Sequence, residues 1–457
     1  MIRAPACVRA LALAWAVLLS PLASALPDDA AVGAMLADRI AQRRAVGLAA
    51  VLFDPRGVRI VTSGALREGG PPVGADTEFE IGSLTKTYTA LLLAEEALRG
   101  AVGLDDPVTK YLPGNASGLT RNGKTVTLIQ LASHTSGLPR LPGNLSPADL
   151  RDPYADYDGA KLMAFLSGDV LERAPGEEYE YSNLGAGLLG FALAERDGGY
   201  ENVLRERVLA PLQLADTTIT LSASQRERFA TGHDRQLEAV PPWRLAALAG
   251  AGGLRSTPSD MGKYLRAAVD PEKAPLGAAM SLAQRPRADG PDPATQVGLA
   301  WHILSRNGHT VIWHNGQTAG FASMMAFDPA AREGVVVLAN TGVSVDDLAL
   351  HMLDASIPLS SPPKARNAIR IDTAIAETIA GRYELAPGSV IAVRRDGDRV
   401  FARVSAQGEA EIFAESDYEY FSRVIDAQLS FLHAGDGRVS GLVLHLGGHN
   451  LTARRID

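Results

Sequence analysis

A chain of 457 residues with a single cysteine cannot be cross-linked internally by disulfides. That cysteine, Cys7, precedes a short apolar run at the start of the chain. If the run is a removable leader, the remaining protein has no thiol, which excludes a cysteine nucleophile and thiolate metal ligands. Positive charge is also scarce: 44 Lys and Arg against 52 Asp and Glu give a formal charge of −8, and no Lys/Arg block occurs along the chain. Nothing is left over to neutralise phosphate backbones or anionic lipid, so nucleic acid is not an expected partner. The nine histidines are scattered singly. There is no Gly-x-Ser-x-Gly elbow, His-Glu-x-x-His pair, phosphate loop or dinucleotide fingerprint, and no metal or cofactor is implied.

What is present is an ordinary globular composition, 46% hydrophobic and 21% charged. The length exceeds what one hydrophobic core usually serves, so two domains are expected. Arg3 and Arg9, the apolar run Ala10 to Leu19, Pro21 and Ala23-Ser24-Ala25 have the pattern of a secretory signal peptide over residues 1–25, cleaved after Ala25. The alternative, an uncleaved anchor, suffers from a run about half as long as a bilayer span. Cleavage leaves a mature charge of −10 and points to an oxidising compartment, a periplasm, with no membrane attachment.

Between residues 26 and 355 helical periods alternate with short β-rich runs. Strands are expected at "GLAAVLFD" and "GVRIVTSGAL" early, and at "HTVIWHNG", "ASMMAFDP" and "GVVVLANTG" late. Helices over 83–99, 159–167 and 259–268 lie between them. Strands at both ends with helices in the middle predict an α/β (α+β) domain: a central antiparallel sheet flanked by helices, with an inserted all-helical region. Residues 356–368 are rich in Pro and Ser and read as a linker. Beyond it, 369–457 alternates apolar and polar residues between Asp-Gly turns, the pattern of a small all-β, barrel-like domain.

Ser83-Leu84-Thr85-Lys86 follows Gly82 and opens an apolar-periodic run. Residues at i and i+3 share a helix face, so hydroxyl and amine can meet. A serine becomes a nucleophile when a neighbouring base takes its proton, and a lysine is that base only when desolvation lowers its pKa. Ser83 at a helix start would also aim its own N–H at a developing oxyanion. The competing reading is a helix-capping serine. Tyr181, in Tyr181-Ser182-Asn183, can supply a phenol to hold the lysine neutral and protonate a leaving group, or be a packing tyrosine. His314-Asn315-Gly316 ends a strand that could lend the N–H of Gln317 as a second oxyanion donor, with Gly316 admitting substrate backbone; otherwise His314 is a polar strand end. In "SHTSGLP", residues 133–139, His134 sits beside serines, but adjacent residues do not face each other, and a turn is expected.

These stretches resemble the penicillin-recognising serine hydrolases, in the branch of class C β-lactamases and D-alanyl-D-alanine peptidases. The resemblance covers about residues 30 to 350 and rests on "FEIGSLTK", "TLIQLASHTSGLP", "PGEEYEYSNLG", "PLQLADT", "AGGLRSTPSDM" and "WHNGQTAGF". It implies Ser83 as acylated nucleophile, Lys86 and Tyr181 as the proton-handling pair, Asn183 as ligand of the substrate amide, and the strand of His314, Asn315 and Gly316 lining the site with Gln317 N–H as oxyanion donor. It implies an exported hydrolase acting on D-amino-acid peptides derived from peptidoglycan, or on β-lactams. A carboxylesterase using the same chemistry and a non-catalytic muropeptide or β-lactam binder are the alternatives. Thr85 departs mildly from the class C pattern of Ser or Ala. His314 stands where the β-lactamases carry lysine, as in relatives similar to D-aminopeptidases and carboxypeptidase/endopeptidases, and a neutral imidazole holds a carboxylate less firmly than an ammonium does.

Overall fold

A computed structural model describes residues 26–194, 198–306, 309–361, 366–386, 389–404, 409–422, 427–435, 437–446 and 449–457. The expected signal peptide, 1–25, lies outside the described residues, as do residues 362–365 of the expected linker.

Helix α1 (Asp29–Ala41) begins at Asp28, whose carboxylate accepts the N–H of Ala31, satisfying one of the orphan donors of a helix start. Strands β1 (Gly47–Asp54) and β2 (Gly57–Gly64) form a hairpin, followed by α2 (Thr85–Leu98), α3 (Asn183–Ala194) and α4 (Pro258–Val269). The late strands are β3 (Ala288–Asp289), β4 (Thr295–Val297), β5 (His302–Arg306), β6 (His309–Gln317), β7 (Ala322–Asp328) and β8 (Glu333–Ala339), and α5 (Asp346–Leu353) follows. All eight strands pair antiparallel in the order β2-β1-β8-β7-β6-β5-β4-β3. The first hairpin thus docks onto the last strand, with Leu48 opposite Ala339.

Side chains alternate across a strand, and β1 is buried along its whole length because both faces of the sheet are covered. Leu48, Ala50 and Leu52 pack with Val32 and Leu36 of α1 and with Leu348 and Met352 of α5. Ala49, Val51 and Phe53 face the larger core, which contains Tyr88 and Leu91 of α2 and Met261 and Leu265 of α4. Two-sided burial is why "GLAAVLFD" is continuously apolar rather than alternating. The helical region is inserted between β2 and β3, and it meets the sheet where α2 begins.

Eight further strands between Gly381 and Arg455 close into a barrel around Tyr383, Ile391, Phe431 and Leu442. A helix the strand pattern does not announce, Thr373–Ile379, is capped by the Asp372 side chain and buries Ala376 and Ile379 in that core. The first part of the Pro/Ser-rich segment lies against the sheet domain: Ser360 N–H donates to Asp347 Oδ2 at 2.7 Å and its carbonyl accepts from Arg44 Nη1 at 2.8 Å. Among the described residues no helix is long and apolar enough to cross a membrane.

Candidate active site

Ser83 lies in a single 3₁₀ turn, Gly82–Leu84, that runs directly into α2. It is not a helix cap: α2 starts behind Leu84, and neither helix start carries a side-chain cap bond. Gly82 has φ +50° and lies so close to β6 that a Cβ would stand 2.6 Å from the backbone nitrogen of Gln317. Only glycine fits both the left-handed conformation and that contact. The turn thereby brings Ser83 against the end of β6.

Lys86, one helical turn further on, is 1% exposed. Its Nζ lies 2.8 Å from Ser83 Oγ, 2.9 Å from Asn183 Oδ1 and 2.6 Å from the carbonyl oxygen of Ala251. Burial, and then the positive charge of Arg140, push its pKa well below that of a free lysine. A neutral amine has two N–H donors and one lone pair. With Asn183 Oδ1 and the Ala251 carbonyl able only to accept, the lone pair is left for the hydroxyl proton of Ser83.

Tyr181 stands just before α3 with its ring centroid 4.9 Å from Lys86 Nζ. Burial pushes its pKa up to about 12, an effect moderated by the neighbouring Ser83 hydroxyl and by the charge of Arg140. The hydroxyl therefore stays protonated at neutral pH, able to donate. Ser83, Tyr181 and Asn183 are half-buried, whereas Lys86 is sealed beneath them.

Strand β6 forms the opposite wall. Its pairing with β5 ends at Trp313, opposite His302, so 314–317 present an open edge to the Ser83 turn. Thr318 N–H donates to Phe321 O at 2.9 Å at the hairpin end. Hydrogen-bonded and non-bonded pairs alternate in an antiparallel ladder, so the N–H of Gln317, opposite Ala322, is directed away from β7 toward Ser83. A narrow cleft at this point is lined by Ser83, Asn183, Gln317, Thr318 and the aromatic walls Tyr154 and Trp243.

The remaining β6 residues serve the site differently from the sequence expectation. Asn315 points to the other face of the sheet, where its Nδ2 donates to Asp346 Oδ2 of α5 at 2.8 Å; strand alternation puts it away from the cleft. Gly316 does not make room for substrate: a Cβ there would stand 2.0 Å from the Ile81 carbonyl oxygen and 2.9 Å from Ser83 N, so its bareness lets the Ser83 turn dock. His314 is fully buried, its Nδ1 2.5 Å from the carbonyl oxygen of Asn315, and burial drives its pKa well below 6.5. The imidazole is a neutral packing group against Tyr181, with ring centroids 6.1 Å apart.

Three neighbours of the site were not expected there. His134 does sit in a turn, with φ +58°, yet its Nδ1 accepts the N–H of Ser182 at 3.2 Å and its ring lies 4.5 Å from that of Tyr181. The Arg140 guanidinium lies 5.1 Å from the centre of the Tyr181 ring. His302 holds Tyr179 at 3.0 Å, its pKa lowered chiefly by burial to about 4. All three arrive from distant segments, beyond the reach of local spacing. Among the described residues no group of three His, Cys, Asp or Glu side chains could hold a metal ion.

A family model described as Beta-lactamase matches residues 32–358, and a Domain of unknown function (DUF3471) matches 365–455. The D-alanyl-D-alanine-carboxypeptidase/endopeptidase AmpH of Escherichia coli (strain K12) is 32% identical over 312 residues, 64% of this chain and 79% of that protein. A Beta-lactamase of the same organism is 30% identical over 305 residues, 59% of this chain and 77% of that protein. Protein flp of Staphylococcus aureus (strain MW2) is 27% identical over 272 residues, covering 58% of this chain and 53% of its own length.

Proposed function

The chain belongs to the β-lactamase family of serine hydrolases, and from that premise we propose that it is an exported enzyme acting through a Ser83 acyl-enzyme on amide bonds of D-amino-acid peptides or β-lactams. The observation that carries this reading is the desolvated Lys86 amine 2.8 Å from Ser83 Oγ, with a protonated phenol against the same hydroxyl.

Ser83 Oγ attacks the carbonyl carbon as its proton passes to Lys86. The N–H groups of Ser83 and Gln317 receive the oxyanion, and Asn183 orients the substrate amide while bonded to Lys86. Tyr181 donates its proton to the leaving-group nitrogen and is reprotonated from Lys86. Water then attacks the ester by the same route in reverse, returning the serine. Fluorescent penicillin should form a covalent adduct mapping to the Ser83 peptide by mass spectrometry, and Ser83→Ala should abolish it and lower turnover by more than about 10³-fold. Undiminished hydrolysis in Ser83→Ala would remove the assignment.

A carboxylesterase is the second reading, favoured by one observation: the buried, neutral His314 stands in place of a lysine. Turnover of short-chain p-nitrophenyl esters without turnover of D-Ala-D-Ala peptides or nitrocefin would decide for it.

A further inference from the structure

We propose that Arg140 is an anion subsite, receiving a carboxylate on the leaving-group side of the substrate beside Tyr181. The proposal rests on the hydrolase reading above and names a feature of the substrate.

Arg140 is exposed at the rim of the site, but its backbone is fixed: its carbonyl accepts the N–H of Asn183 at 3.0 Å and of Leu184 at 3.2 Å, tying it to the start of α3. The guanidinium lies 5.1 Å from the Tyr181 ring centre, a cation–π placement that holds the group without neutralising it. No ion pair among the described residues includes Arg140. The carboxylates along the following loop are already taken: Asp149 by Arg151, Asp152 by Arg244 and Asp156 by Lys161. Glu80 beneath the cleft pairs with Arg255, and Glu180 beside Tyr181 with Arg173.

The groups facing Tyr181 are otherwise without negative charge. They are Lys86, His134, Tyr179 and His314. Lys86 is committed to Ser83, Asn183 and Ala251, and His314 is buried and neutral. Arg140 is therefore the cation available to a bound anion. Its planar fork matches a carboxylate with two parallel hydrogen bonds. Since Tyr181 protonates the leaving group in the proposed mechanism, an anion beside it belongs to the departing half of the substrate. A free C-terminal carboxylate meets that description, and a neutral ester does not.

The test is a matched pair of thioesters, N-acetyl-D-alanyl-thioglycolate and its methyl ester, which differ by one leaving-group charge. Wild type should prefer the charged member, and Arg140→Gln should lower the charged-to-neutral ratio of kcat/KM about ten- to a hundredfold, with partial recovery in Arg140→Lys. A ratio unchanged within about twofold, or a wild-type preference for the methyl ester, overturns the subsite while leaving the hydrolase intact. Wild type that hydrolyses neither and leaves Ser83 unlabelled by fluorescent penicillin overturns both.

Discussion

Lys86 is the residue on which the site's electrostatics turn. An ammonium buried this deeply would need compensating anions, and the three groups it touches are all neutral, so the amine form is the one the fold accommodates. The pH dependence follows with a definite sign. Activity rises as Lys86 loses its proton, and because burial lowers that pKa, kcat/KM should reach its plateau far below pH 10.5. Tyr181, pushed up to about 12, keeps its proton over the same range, so the plateau should run on above pH 9. A profile still climbing between pH 9 and 10.5 would show a lysine of ordinary basicity. Tyr181→Phe should keep the plateau's position and lower its height by about 10²- to 10⁴-fold, measured by steady-state kinetics on an amide substrate.

The elements that hold this chemistry meet at one crossing, the Ser83 turn against the open edge of β6, and glycines on both sides make the approach possible. Gly316→Ala would drive a methyl group to 2.0 Å from the Ile81 carbonyl, against backbone that has no side-chain rotamer to yield. It should cost about 1–3 kcal/mol of stability and slow penicillin labelling of Ser83, as read by thermal melts and labelling rates. Normal labelling in a destabilised variant would show that the crossing does not position the nucleophile. This crossing also marks how far the sequence is legible. The i, i+3 pair Ser83 and Lys86 is visible because it lies within one helical turn, and β1 and β6 to β8 are visible because burial dictates their patterns. β3, with two residues, and β4, with three, are too short to show a period. The helix Thr373–Ile379 hides in a strand-rich region, and the pleat direction that turns Asn315 toward Asp346 is set by strand pairing and not by the motif. His134 and Arg140 reach Tyr181 only through tertiary packing.

At the scale of the whole molecule, stability carries its own pH signature. Burial pushes Glu78 up to about 8 and Glu80 to about 7, and both Glu78 oxygens lack a hydrogen-bond partner among the described residues. Unfolded carboxyls ionise near 4.5, so between about pH 4.5 and 8 the folded state holds more protons than the unfolded one. The stability these groups contribute is complete below that window and declines as pH rises through it. Glu78→Gln should remove part of the decline, raising Tm by about 3 °C at pH 8.5 and leaving it unchanged near pH 5. An equal effect at both values would point to packing in place of ionisation.

The sheet joins its first hairpin to its last strand, with β1 lodged between β2 and β8. A ribosome or a translocation pore delivers the amino-terminal half first, so β1 emerges long before the partner that shields its outer edge exists. Until Glu333–Ala339 arrives, one edge of "GLAAVLFD" stays unpaired, a sticky ribbon of the sort chaperones bind, and assembly must wait on closure of a very long loop. The same sheet that receives the Ser83 turn thus leaves the growing chain an edge to shield until its last strand is made.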